Sequence, residues 1–240
     1  MDNLILIHGA LGSATQMSPL ARELESDFTV LVVELPGHGK TPSVAPFSIP
    51  AFAEHVLRII DGRGVQRAHF FGYSMGGYVA LLIAANTPER VISVTTLGTK
   101  FGWTPESAAK ECKRLDAGVI RGKVPAFAAS LERRHREAGG WERMIGRTAE
   151  LVRGLGDHPG LDEATLRRIS APVLIMVGDA DTTVSADESA LASRQIADAE
   201  LRVLPATPHP IEQVSYLALA SEVRSFVAGH TSPDPGVSNA

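Results

Sequence analysis

The run Gly72-Tyr73-Ser74-Met75-Gly76-Gly77 carries a serine where an apolar β-type run, Ala68 to Phe71, gives way to a helix-like run, Met75 to Asn86. A serine on so sharp a strand-to-helix turn has its hydroxyl pushed out above the sheet. The turn is crowded, so the positions two before and two after must be glycine, here Gly72 and Gly76. Met75 then offers a backbone N–H at a helix N-terminus, where developing negative charge is stabilised. The chemistry this suits is nucleophilic attack on a carbonyl. A serine hydroxyl is a weak nucleophile at neutral pH and needs a base. The chain has 8 histidines, at 8, 38, 55, 69, 135, 158, 209 and 230. For a serine on this type of turn, the acid and then the histidine follow along the chain. Only His209 and His230 lie beyond the last acid at a strand end, and His230 falls in a polar, turn-forming tail. That leaves His209, held between prolines in Pro205-Ala206-Thr207-Pro208-His209-Pro210. The acid is Asp179 or Asp181, in Gly178-Asp179-Ala180-Asp181; the one not used is a solvated loop carboxylate. The turn His8-Gly9-Ala10-Leu11-Gly12 supplies a second oxyanion donor, the N–H of Ala10 or Leu11, beside that of Met75. His8 itself reads as structural, bonded under that loop.

The elements that must position these residues are legible as an alternation. Short apolar runs at Leu4 to Ile7, Thr29 to Val33, Ala68 to Phe71, Val91 to Leu97, Val173 to Val177 and Leu201 to Leu204 read as strands, most of them buried on both faces. Helical stretches lie between most of them, at Gln16 to Glu25, Ile49 to Asp61, Met75 to Asn86, Ala186 to Ile196 and Ile211 to Val227. Such alternation predicts an α/β fold with a parallel sheet and right-handed crossovers. The interval from Thr99 to Ala171 has no strand-like run. It reads as helices at about Pro105 to Asp116, Pro125 to Glu137, Trp141 to Leu155 and Asp162 to Ile169. The expected organisation is a core of residues 1–98 and 172–228, a helical cap at 99–171, and a flexible tail at 229–240.

These pieces resemble the α/β-hydrolase superfamily, in its small-molecule branch with a helical cap. The resemblance covers nearly the whole chain. It rests on His8-Gly9-Ala10, Glu34-Leu35-Pro36-Gly37-His38-Gly39, Gly72-Tyr73-Ser74-Met75-Gly76-Gly77, Gly178-Asp179-Ala180-Asp181 and Pro208-His209-Pro210. The family usually has Asp where Glu34 stands and Gly where Pro208 stands. Its pattern puts the acid three residues after the glycine that ends the strand, which implies Asp181. Members usually open with a two-strand hairpin, whereas here the strand leading into His8 starts at residue 4. The resemblance therefore implies an α/β-hydrolase fold lacking the first two strands: six parallel strands in the order 2-1-3-4-5-6, with Thr29 to Val33 as an exposed edge that invites homodimerisation. Ser74 sets the chain apart from the haloalkane dehalogenases and epoxide hydrolases of this fold, which need a carboxylate nucleophile.

Composition narrows the partners. Lys plus Arg total 23 and Asp plus Glu 27, a net charge of −4, and no basic run marks a nucleic-acid footprint. No apolar run approaches the ~18–20 residues that span a bilayer, so no membrane partner is expected. The single cysteine, Cys112, forms no internal disulfide, which fits a cytoplasmic protein. No His-Glu-x-x-His pattern, Cys/His cluster or completed dinucleotide loop is present, so neither a metal nor a cofactor is expected. The cap segment has 14 basic and 10 acidic residues against 9 and 17 in the remainder. That asymmetry points to carboxylated substrates, set against the blander reading of solvated helix faces. The predicted reaction is acyl transfer to water by a Ser74–His209–Asp181 triad acting on a small carboxylic ester, lactone or thioester. Other chemistries fit the same triad: C–C bond hydrolysis, enol-lactone opening, a lyase reaction or cofactor-free peroxidation. A ligand-binding receptor is the non-enzymatic alternative. Phe101 and Trp103, just past a strand end, are the leading pocket candidates, ahead of Phe127, Trp141 and Met144.

Overall fold

The computed structural model describes residues 1–230. Six strands form one sheet: β1 (Asn3–Ile7), β2 (Thr29–Val33), β3 (Ala68–Tyr73), β4 (Val91–Leu97), β5 (Val173–Gly178) and β6 (Ala199–Leu204). Their order is β2-β1-β3-β4-β5-β6, and every pairing is parallel. Strand period two sorts the side chains onto two cores. Ile5, Ile7, Phe70, Val173 and Ile175 face one side, with helices α2 (Ile49–Asp61), α3 (Met75–Asn86) and α9 (Ala186–Ser193). Leu4, Leu6, Phe71, Leu174 and Met176 face the other, with α1 (Ala14–Leu24) and α10 (Tyr216–Ala228). The central strands are buried throughout, whereas β2 and β6 are the partly exposed edges.

Helix α3 is apolar on every side because it has no solvent face: all but its two end residues are buried. It presses its N-terminus against the C-terminal edge of the sheet, and so fixes where Ser74 emerges. Helix α2 begins where Ser48 accepts a hydrogen bond from the Ala51 N–H, with Pro50 in the first turn.

Between β4 and β5 run α4 (Pro105–Cys112), α5 (Ala117–Lys123), α6 (Pro125–His135), α7 (Trp141–Asp157) and α8 (Glu163–Leu166). The sequence reading missed α5. Two glycines weaken that seven-residue stretch, but the Asp116 side chain accepts from the Val119 N–H at 2.7 Å and starts it, and Pro125 opens the next helix. Ile120, Leu131, Trp141, Met144 and Ile145 form a small core of the insertion's own. Trp141 and Met144 are therefore packing residues. The single helix expected at Ile211 to Val227 is divided. A 3-10 turn, Ile211–Gln213, precedes α10, and Ser215 caps α10 by accepting from the Ala218 N–H. Of the expected flexible tail, residues 231–240 lie outside the described residues. His230 is not frayed: its ring lies 4.6 Å from that of Phe226 and its Nδ1 is 2.8 Å from the Phe226 carbonyl oxygen.

Candidate active site

Ser74 sits between β3 and α3 at φ 52°, ψ −114°. This backbone conformation costs on the order of 1–3 kcal/mol for a residue with a side chain. Neighbouring bonds hold it there. The Ser74 N–H donates to the Leu97 carbonyl at 2.8 Å, and the Thr99 hydroxyl donates to the Ser74 carbonyl at 3.1 Å. The glycine requirement has a direct cause: a Cβ on Gly72 would collide with the backbone of Gly77, and one on Gly76 with the carbonyl oxygen of Ile7. Met75 is the first residue of α3, so its N–H has no acceptor within the helix.

His209 and Asp181 reach the same place from the loops after β6 and β5. The His209 Nδ1–H donates to Asp181 Oδ2 at 2.7 Å. Asp181 Oδ1 accepts from the Thr183 and Val184 N–H groups at 2.7 and 2.9 Å. Burial alone would raise the Asp181 carboxyl, but the bond from His209 and these two amides outweigh it and hold the group below its ordinary value. Asp179 does not enter the site. Its N–H continues the β5–β6 ladder to the Leu204 carbonyl, and its residue surface is exposed.

The structure adds two supports that the sequence reading did not find. The Tyr73 hydroxyl donates to the His209 carbonyl at 2.9 Å, tying the histidine loop to the strand that carries Ser74. Gly98 (φ +61°) lies below the His209–Asp181 pair, where a Cβ would approach both side chains to 3.2 Å. A glycine closing a strand beside the serine's strand was the available signal.

A cavity of about 400 Å³ opens above these groups, at the small end of the usual ligand-site range. Ser74, His209, Tyr73, Ala10, Leu11 and Met75 form its floor. Ile49, Ile120, Val124, Phe127 and Leu151 are among its apolar walls. Trp103 lines it as expected. Phe101 does not: its N–H is held by the Glu188 carboxylate at 2.9 Å, and its side chain packs against the sheet's core. Of the basic residues from Lys100 to Arg114, Lys100 and Arg114 line the cavity, Arg114 from an exposed position, whereas Lys110 and Lys113 are exposed and outside its lining. Each of the two lining cations already has a carboxylate partner. Lys100 Nζ is 3.6 Å from Glu188, and Arg114 is 3.5 Å from Glu111.

Three further histidines, His8, His38 and His135, are buried and lie away from the Ser74–His209 pair. His8 donates from Nδ1 to the Gly9 carbonyl and accepts at Nε2 from the Leu35 N–H at 3.0 Å, which requires the neutral ring. Glu34, where the family usually has Asp, bridges two loops by accepting from the Ala14 and Lys40 N–H groups at 3.0 and 2.7 Å. Burial pushes His8 and His135 down to about 4, and His38 well below its ordinary value. Folding therefore favours the neutral form of all three. The stability they contribute is complete above the ordinary histidine value of 6.5 and is lost as the pH falls from there toward about 4. The expected result is a Tm that is level above about pH 7 and drops on acidification to about pH 4.5. Calorimetry across that range checks it, and a level Tm down to pH 4.5 contradicts it.

The family model of the alpha/beta hydrolase fold matches residues 2–211. The chain is 27% identical over 248 residues to the pimeloyl-(acyl-carrier protein) methyl ester esterase of Neisseria meningitidis serogroup B / serotype 15, covering 95% of this chain and 94% of that protein. Among solved structures, a thermophilic esterase from Thermogutta terrifontis aligns with a TM-score of 0.77 at 22% identity, covering 96% of this chain and 91% of that one. The enol-lactonase from Burkholderia xenovorans LB400 aligns with a TM-score of 0.73 at 21% identity, covering 95% and 91%. The chain belongs to the α/β-hydrolase fold family. Among the described residues, no helix is long and apolar enough to cross a membrane.

Proposed function

We propose that this α/β hydrolase is a serine hydrolase that cleaves a small, neutral ester-type substrate through an acyl-enzyme. One observation carries the reading: a strained serine and an Asp-paired histidine share the floor of a mostly apolar cavity. In this mechanism His209 Nε2 takes the proton from Ser74 as Oγ attacks the carbonyl carbon. The carbonyl electron pair moves to oxygen, which the N–H groups of Met75 and of Ala10 or Leu11 stabilise. Asp181 fixes the Nδ1–H tautomer and stabilises the imidazolium. His209 then protonates the leaving oxygen. Water, deprotonated by His209, attacks the acyl carbon, and the proton returns to Ser74 as the acid leaves. A hydrolysis esterase as a relative supports this choice of bond over the other chemistries open to the same three side chains. The unpaired state of the lone cysteine, Cys112, supports a cytoplasmic setting.

The basic character of the cap does not carry over to the cavity. A substrate carboxylate would lose hydration against apolar walls and meet cations already paired with Glu188 and Glu111. The expected result is that a neutral short-chain p-nitrophenyl ester has a kcat/KM at least about tenfold above that of its ω-carboxylated analogue, a discrimination of about 1.4 kcal/mol or more. A panel of paired esters tests this, and equal or better turnover of the carboxylated members contradicts it.

A further inference from the structure

His135 sits at the end of α6, in the insertion, far in sequence from Ser74, Asp181 and His209. Its side chain is fully buried, and both ring nitrogens are engaged with the core. Nδ1 accepts from the Gly39 N–H at 2.9 Å, and the Nε2–H donates to the Leu11 carbonyl at 3.0 Å. Arg134, the preceding residue, donates to the same carbonyl at 2.8 Å. The Leu11 side chain packs against the insertion's own core.

Leu11 has φ 60°, a conformation that disfavours a branched side chain by roughly 1–2 kcal/mol. The conformation needs compensation. The turn's own Gly12 N–H to Gly9 carbonyl bond supplies part of it, and the insertion adds two bonds to the Leu11 carbonyl and an apolar socket for the side chain. The Leu11 carbonyl and the peptide N–H groups around it belong to one rigid turn. The Leu11 carbonyl shares one peptide plane with the Gly12 N–H, which donates to the Gly9 carbonyl at 3.1 Å and closes the turn, so bonds that hold the Leu11 carbonyl hold the turn on which the Ala10 and Leu11 N–H groups stand.

We infer that His135, assisted by Arg134, is a positioning residue for the oxyanion hole, so that the insertion helps to set transition-state stabilisation as well as roofing the cavity. This rests on the serine-hydrolase reading above. Replacing His135 removes a positioning bond without touching the substrate, so the loss falls on kcat more than on KM. Loss of one whole oxyanion donor costs about 10²–10³ in kcat, and a misaimed donor costs part of that.

The test measures kinetics and the affinity of a trifluoromethyl ketone. Ser74 Oγ adds to its carbonyl carbon, the serine proton passes to His209, and the ketone oxygen becomes an oxyanion in the hole. His135→Phe is expected to lower kcat about 10- to 100-fold with KM within about threefold, and to weaken the ketone by the same factor as kcat/KM. His135→Gln, whose amide can accept from Gly39 and donate to Leu11, is expected to recover most of that loss. Unchanged kcat and ketone affinity in folded His135→Phe overturns the inference, as does a loss confined to KM. If His135→Phe does not accumulate as folded protein, Arg134→Met carries the test: parallel losses of about threefold or more support the inference, and unchanged values overturn it. Failure of the underlying reading is distinguishable, because the wild-type chain would then not bind the ketone through Ser74 at all.

Discussion

Ser74→Ala is expected to lower ester turnover by about 10⁶-fold, to the level left by binding and the oxyanion donors alone. Every observation about this residue converges on its Oγ. The backbone is held at φ 52°, the flanking positions admit only glycine, and the hydroxyl lies on the floor of the cavity that His209 also lines. Because Ser74 and His209 act as one unit, His209→Ala is expected to cost a similar factor, and the double variant little more than either single one. Steady-state assays on a short-chain p-nitrophenyl ester check this. Residual activity of more than a few per cent in Ser74→Ala would move the nucleophile elsewhere. Strictly additive losses would mean that the two side chains do not share a step.

The second large effect separates two carboxylates. Asp181→Asn is expected to lower kcat by at least about 10², and Asp179→Asn by less than about tenfold. The Asp181 carboxylate accepts the His209 Nδ1–H at 2.7 Å. An Asn there can instead donate to Nδ1, which favours the tautomer with the proton on Nε2, where the base must be free. Asp179 is spent on the strand: its backbone extends the β5–β6 ladder and its side chain is exposed. Paired kcat measurements on the two variants decide the matter. The reverse order would transfer the role to Asp179, and near-wild-type rates in both would remove the acid from this loop.

Local signals were sufficient for much of the architecture. Strands β2 and β4 and helices α2 and α3 coincide with their sequence boundaries, because β-branched runs, Ser48 with Pro50, and a glycine-serine turn are all encoded within a few residues. Ser74 and His209 were legible because each stands at or just past a strand end, whereas the choice of Asp181 over Asp179 rested on the resemblance to the α/β-hydrolase superfamily. What was not legible depends on partners distant in the chain. Phe101 turns from the cavity because Glu188, 87 positions later, holds its N–H. His135 joins Gly39 and Leu11 across 96 and 124 positions, and nothing in its own neighbourhood marks it. The charges of the cap suggested an anion site, but the pairing of Lys100 with Glu188, 88 positions later, is a property of the folded cavity, whereas the Glu111–Arg114 pair is local and was open to a reading of the sequence.

The central claim is that Ser74 is the activated nucleophile of an intact catalytic unit, and covalent labelling tests it most directly. Native protein is treated with a fluorophosphonate, its intact mass is measured, and the modified peptide is mapped. The expected result is one adduct per chain, located on Ser74, absent from Ser74→Ala and formed far more slowly in His209→Ala. No adduct on folded wild-type protein, or an adduct on any residue other than Ser74, would contradict the account.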